Sequence, residues 1–402
     1  MALICIPIDN IDGLDELEVL RRASLSRVGR PNLDLARRAT HADVVAAGST
    51  ARLPYTGSGV IVGMSDIGFD PGHADFRGRV AGISHYIEDQ GSVTRIHDAD
   101  SLASWTTDSP VNYHATHVAG ILAGGGDGTP YVGVAPGATL YGTTSTLHDV
   151  GILAGVEDVI KYAAFQGRPA VINLSIGSTL GPHDGTDLFC RYLDLCAAEV
   201  PVLLSAGNDG NVSEGVMVRH TFSVDEPSFF VQLYDKIEWN GMNLVGHCDA
   251  WSADDRPFDF KIRVFDVIDR CFIYESEVIS AQCDTTTVIK TAGSALGQYY
   301  EGQIAIASEL CPLNNRYNML AYFDMHCTEM RPAGPWARYC LCLELAGEPG
   351  THVDLAANGE TVYFRASSSL ASAVKPCTAD LSISSLACGH NTIAVGSATT
   401  RD

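Results

Sequence analysis

The chain has 402 residues, of which 46% are apolar and 18% charged, a composition that builds a sizeable core rather than a disordered segment. Its formal net charge of −22 argues against nucleic acid and against an anionic membrane surface as partners, because phosphate contacts need Lys and Arg. No apolar run approaches the roughly 18 residues of a membrane span, so no transmembrane helix is predicted.

The N-terminus "MALICIPIDNIDGLDE" lacks a basic region ahead of a long apolar one and does not read as a signal peptide. "ALICIPI" reads as a strand, and Ile11, Leu14, Leu17 and Leu20 then recur at helical spacing. "ASLSRV" suits a short returning strand, and "NLDLARRATHADVVAAG" a helix stopped at Gly48. From residue 57 strands and helices alternate. "GSGVIVGMSD" is an apolar strand over 60–64 followed by Asp66, "HATHVAGILAGG" a helix, and "GATLYGTT" a strand. "HDVGILAGVEDVIKYAAFQG" carries Val150, Leu153, Val156, Ile160 and Ala163 on one helical face and stops at Gly167. The strand "RPAVINLSIG", a helix with Leu188, Phe189, Tyr192, Leu193 and Cys196 along one face, and the strand "VPVLLSAGND" follow. Continuous apolar strands separated by amphipathic helices predict an α/β fold, a parallel sheet with helices on both faces.

From about Val216 to Lys375 helical periodicity is absent and short strand-like runs dominate, among them "SFFVQLY", "FKIRVFDV", "NMLAYFDM" and "RYCLCLELAG". This predicts an inserted antiparallel β-domain, a sandwich or jelly roll, after which "HNTIAVGS" resumes an apolar strand. The expected organisation is a tail at 1–30, the α/β domain at 31–212, the insert at 213–380 and a return to the α/β domain at 381–402. Eight of the twelve cysteines fall between Cys248 and Cys377. With no CxxC pair, a zinc site is not expected; buried thiols and disulfides both remain open.

Sites in parallel α/β sheets form beyond the carboxyl ends of the strands. Two strands end there in polar, glycine-flanked sequence, "SDIGFD" and "SAGNDG". Asp66 can orient an imidazole, His114 opens a helix of small residues where it can meet that carboxylate, and Asn208 can point its amide at a developing oxyanion. "VIVGMSDIGFDPGHADF", "HATHVAGILAG", "VGVAPGATLYG", "VINLSIGS" and "LLSAGNDG" occur in the order and style of the subtilisin-like serine peptidases, which the chain resembles over roughly 50–212 and 390–402. The resemblance implies Asp66 as orienting acid, His114 as general base and Asn208 as oxyanion donor. It implies that Ser175, Ile176 and Gly177 pair with substrate backbone, and that Ser205, Ala206 and Gly207 wall the first specificity pocket. The substrate is then a peptide or protein, and the reaction endopeptidase hydrolysis in which a serine attacks the carbonyl.

Three departures stand out. Ala115 replaces the glycine that usually follows the histidine, the long insert is present, and no Gly-Thr-Ser-Met-Ala-x-Pro run supplies the nucleophile. The serine-rich "ASSSLASAVKP" opens no helix, so Ser368 and Ser369 are poor substitutes. The N-terminal segment resembles the back half of an inhibitory propeptide. The chain is therefore expected to be a fragment of a secreted or cell-envelope peptidase, inactive alone.

His117 reads as a packed, hydrogen-bonded core histidine; paired with His114 it lacks an acidic third ligand for a metal. No cofactor is required, and a structural calcium, for which loop carboxylates such as Asp70 and Asp75 are candidates, is the only ion implied. "NVS" at 211–213 matches a glycosylation sequon by pattern alone, and "DADSLASWTTDSP" reads as a solvated acidic loop. The alternative function is a non-catalytic pseudo-peptidase or binding module that carries the β-domain. A nucleotide-binding protein is disfavoured because "GGGDG" (124–128) follows a helix rather than a strand.

Overall fold

The computed structural model describes residues 33–397, apart from 50–51, 107–112, 211–214, 237, 239, 333, 360, 366 and 368–369. The propeptide-like segment, the 211–213 sequon, Ser368 and Ser369 lie outside the described residues.

Seven strands form the first sheet, in the order Ile393–Val395, Val202–Ser205, Ala170–Leu174, Ile61–Asp66, Thr139–Thr144, Val80–Ile87 and Ser92–Ile96. All neighbours are parallel except the last pair, which is an antiparallel edge. Side chains alternate between faces along a strand. Ile61 therefore joins the core under the helices Asp149–Gln166 and Leu188–Ala197, while Val62 and Met64 pack with Ala115, Val118 and Ala119 of the helix His114–Ala123. Gly63 faces the long helix so closely that a methyl group there would collide with Val159. Asp66 shares the parity of Val62 and Met64, and this alone puts its carboxylate on the His114 side of the sheet.

Several expectations are corrected in detail. The strand runs through Asp66 rather than stopping at residue 64. The helix expected over 32–47 is broken into Leu33–Ala39 and Ala42–Ala47, because His41 takes a left-handed φ of 59°. In Asp149–Gln166 the buried stripe is Ile152, Val156, Val159 and Ala163, and Val150 is 63% exposed. Leu188 is likewise exposed, at 72%, because it opens its helix on the outer side. The acidic stretch after residue 97 is a short helix, Ala99–Ser104, capped by Asp98 accepting from Ser101 N at 2.8 Å and anchored by buried Leu102.

Strands between Met217 and Phe364 form two further sheets, both antiparallel. One is ordered Cys271–Glu275, Phe258–Asp266, Tyr339–Gly347, Ser228–Asp235, Val362–Phe364, with Ile279–Ser280 also on Phe258–Asp266. The other is ordered Thr285–Lys290, Tyr300–Cys311, Arg316–Cys327, Asn243–Ser252, His352–Ala357, Met217–Thr221. Apolar residues from both, including Phe260, Ile262, Leu343, Ile304, Met319 and Phe323, share one core. Three of these strands, Asn243–Ser252, Thr285–Lys290 and His352–Ala357, were not anticipated.

Two polar seams join this β-rich part to the α/β sheet. Buried Asp249 accepts from Gly181 N (2.7 Å), Trp251 Nε1 (2.8 Å) and Asn318 Nδ2 (2.5 Å). Arg316 donates to Pro182 O (2.9 Å) and to Asp184 Oδ2 (2.6 Å). All eleven described cysteines are free thiols, so the open question of disulfides closes for these residues.

Candidate functional site

Asp66 ends its strand as a carboxylate 1% exposed, and His114 begins its helix 46% exposed. The imidazole Nδ1 lies 3.0 Å from Asp66 Oδ1 and 2.9 Å from Oδ2. An ionised carboxylate only accepts, so Nδ1 carries the proton and donates it. Nε2, the nitrogen a general base uses, is then the basic one. The carboxylate is held in turn by Ile67 N, which donates to Oδ1 at 2.8 Å. A further tie steadies the helix start: Asp70 N donates to Thr116 Oγ1 at 2.9 Å, fastening the loop after Asp66 to the first turn of the histidine helix.

The other predicted residues leave the same edge of the sheet. Ile61–Asp66, Ala170–Leu174 and Val202–Ser205 are consecutive neighbours, and all run parallel. Ser175, Ile176 and Gly177 follow the second, and Ser205, Ala206, Gly207 and Asn208 end or follow the third. Ser205 Oγ donates to Ile176 O at 2.7 Å and so pins these two segments together. Ser175 Oγ accepts from Asn173 Nδ2 at 2.9 Å. Gly207 has φ +94°, a left-handed conformation that a side chain would strain, and the turn it makes leaves Asn208 exposed.

One expectation fails here. His117 is exposed, not a packed core histidine: Ala115, Val118 and Ala119 take the inner face of the helix, and residue 117 falls outside it. Asp70 Oδ1 accepts from Gly72 N (3.0 Å) within its own turn, and Asp75 Oδ1 accepts from the distant Gly126 N (2.5 Å). Among the described residues no group of three or more His, Cys, Asp or Glu side chains is placed to hold a metal.

One contributor was missed in the sequence. Ser384 lies in the link between the β-rich part and the last strand, yet its N–H donates to Ala206 O (2.9 Å) and its Oγ accepts from Ser178 N (3.0 Å). The run of small residues "SISS" at 382–385 was the available signal for such a close approach.

The subtilase family (peptidase S8) profile matches residues 57–401. An intracellular serine protease of Paenibacillus polymyxa is 30% identical over 158 residues, 39% of this chain and 43% of that protein. Subtilisin DY of Bacillus licheniformis is 30% identical over 158 residues, 39% of this chain and 50% of its own. The chain thus spans half or less of the length of these curated relatives. Among solved structures, the CspB protease of Clostridium perfringens shares the fold with a TM-score of 0.56 and 18% identity, over 78% of this chain and 65% of that one. That coverage exceeds the α/β part, so the likeness of fold takes in β-rich strands as well.

Proposed function

The chain belongs to the subtilase family, and on that premise we propose that it carries the acid, base and oxyanion elements of a serine endopeptidase. The observation that carries this reading is the approach of His114 Nδ1 to both oxygens of buried Asp66, at 2.9 and 3.0 Å. His114 takes the proton of an attacking serine hydroxyl and later returns it to the leaving amine, while Asp66 fixes the tautomer and stabilises the imidazolium. Asn208, with a backbone N–H, holds the oxyanion; loss of one such donor costs about 10²–10³ in turnover, a figure measured on subtilisin itself. Substrate backbone pairs along Ser175, Ile176 and Gly177, and Ser205, Ala206 and Gly207 wall the pocket beside it. The substrates are peptides or proteins, acting at a secreted or cell-envelope location.

No Gly-Thr-Ser-Met-Ala-like run occurs in the 402 residues, so in this reading the chain alone forms no acyl-enzyme. Labelling the purified chain with a fluorophosphonate tests this. Stoichiometric modification of one of its serines would overturn it, and the same result would end the non-catalytic alternative.

The organisation belongs to the same proposal: a propeptide-like tail at 1–30, the α/β domain at 31–212, the insert at 213–380 and the return at 381–402. The jelly-roll reading of the insert is supported by strand order. In one sheet Met217–Thr221, His352–Ala357, Asn243–Ser252 and Arg316–Cys327 alternate early and late strands, and in the other Ser228–Asp235, Tyr339–Gly347 and Phe258–Asp266 do so, before sequential hairpin partners extend each sheet. Such alternation is the feature that supports a jelly roll built of Greek keys.

A further inference from the structure

We infer that the β-rich part binds a single chloride ion in the small cavity that Gln232, Asn240, Arg331 and Cys340 line.

The cavity holds about 10 Å³, room for one occupant the size of a water molecule. That size excludes sulfate and phosphate. Among the described residues its lining includes one cation, Arg331, and no carboxylate. Arg331 is half-buried, and its Nε donates to Ala337 O at 2.9 Å. Its guanidinium has no carboxylate partner among the described residues, although a buried charge ordinarily needs one. The carboxylates of the neighbouring strand ends and turns are engaged elsewhere. Asp235 accepts from Glu238 N at 2.8 Å and from Gly241 N. Glu329 accepts from Arg338 Nη1 at 2.9 Å and from Tyr339 Oη at 2.8 Å.

Backbone donors orient the two amides. Ser367 N donates to Gln232 Oε1 at 2.7 Å, and Met242 N donates to Asn240 Oδ1 at 2.8 Å. A backbone N–H only donates, so each amide turns its NH₂ group the other way. Gln232 Nε2 gives one hydrogen to Cys340 Sγ at 3.2 Å, and Asn240 Nδ2 gives one to Glu238 Oε2 at 3.0 Å. Each NH₂ keeps a second hydrogen. Cys340 is 5% exposed, and burial pushes its pKa up to about 12, so at neutral pH it remains a thiol with a hydrogen to donate. A fixed positive charge beside spare donor hydrogens suits an anion and repels a metal cation. The net charge of −22 opposes anions in general, so the affinity comes from these local donors.

The test uses the 402-residue chain. Crystals are soaked in sodium bromide, and the chain in solution is titrated with sodium chloride while the ³⁵Cl line width is read. An anomalous bromide peak is expected in the cavity, in contact with the Arg331 guanidinium, together with line broadening that saturates. At chloride ten times its Kd the folding equilibrium should gain about elevenfold over sodium gluconate of equal ionic strength. Arg331→Gln, which keeps a donor but removes the charge, should lose the saturable broadening and this gain. Arg38→Gln, which removes an exposed charge in the helix Leu33–Ala39, should keep both. Water alone in the cavity of the soaked crystal, broadening that does not saturate, or unchanged broadening in folded Arg331→Gln would each overturn the inference. Should Arg331→Gln fail to fold, the bromide map of the native chain decides.

Discussion

Replacing Asp66 by Asn tests the pairing at the heart of the site while changing almost no volume. Ile67 N–H donates to Oδ1 at 2.8 Å, so the variant must keep its amide oxygen there. The NH₂ group then takes the place of Oδ2, which lies 2.9 Å from His114 Nδ1. Two donors repel at that distance, and the one remaining acceptor, Oδ1, already takes the Ile67 N–H, so the ring is expected to move its proton from Nδ1 to Nε2 and accept from the NH₂ group at Nδ1. In the native chain the Nδ1–H bond to a buried carboxylate contributes about 1.5–3 kcal/mol. At about 1.4 kcal/mol per factor of ten, the neutral ring is held as the Nδ1–H tautomer by roughly tenfold or more. The assay is ¹⁵N NMR of histidine-labelled chain at a pH where the ring is neutral. The Nδ1–H pattern is expected in the native chain and the Nε2–H pattern in Asp66→Asn. A native ring already in the Nε2–H form, or an unchanged spectrum in the variant, refutes the pairing and with it the assignment of His114 as a correctly poised base.

Asp249→Ala should strand three donors, Gly181 N, Trp251 Nε1 and Asn318 Nδ2, at a cost of about 3 kcal/mol or more in urea unfolding; a change within about 0.5 kcal/mol would show that this carboxylate does not tie the two parts together. Asp266 is held below the usual carboxylate range: burial pushes its pKa up, but the Arg338 guanidinium and the backbone N–H groups of Ile268 and Asp269 outweigh it. A lowered folded-state pKa means that the unfolded chain binds more protons, so stability present above the ordinary carboxylate value is lost as pH falls through the lowered one. Thermal melts should show this acid-side loss in the native chain and a smaller slope there in Arg338→Met. At pH 8 iodoacetamide should modify exposed Cys271 and Cys283 first, while burial holds the Cys377 and Cys388 thiols up at about 11 and keeps them slow; peptide mass mapping of a time course would expose the opposite order.

Much of this molecule could be read along the chain. Apolar strands and amphipathic helices announced the parallel sheet, because burial on both faces leaves a continuous apolar run in each strand. Asp66 and His114 were legible because each sits where an element changes, one at a strand end and one at a helix start, in sequence of characteristic order. Helix faces were less secure. Val150 and Leu188 satisfied the helical period yet face solvent, since periodicity fixes relative angle and leaves the absolute rotation of a helix to packing. His117 erred for the same reason, one turn from His114 but outside the buried face.

Contacts between distant segments were beyond the reach of any local pattern. Ser384 stands more than 170 residues along the chain from Ala206 and Ser178, with the β-rich strands between them, and no spacing rule links it to either. Asp249 gathers donors from two strands and a loop in the same way. Local sequence governs backbone conformation and which residues seek burial. Which side chains finally meet depends on how whole layers close over one another, and that is a property of the folded chain.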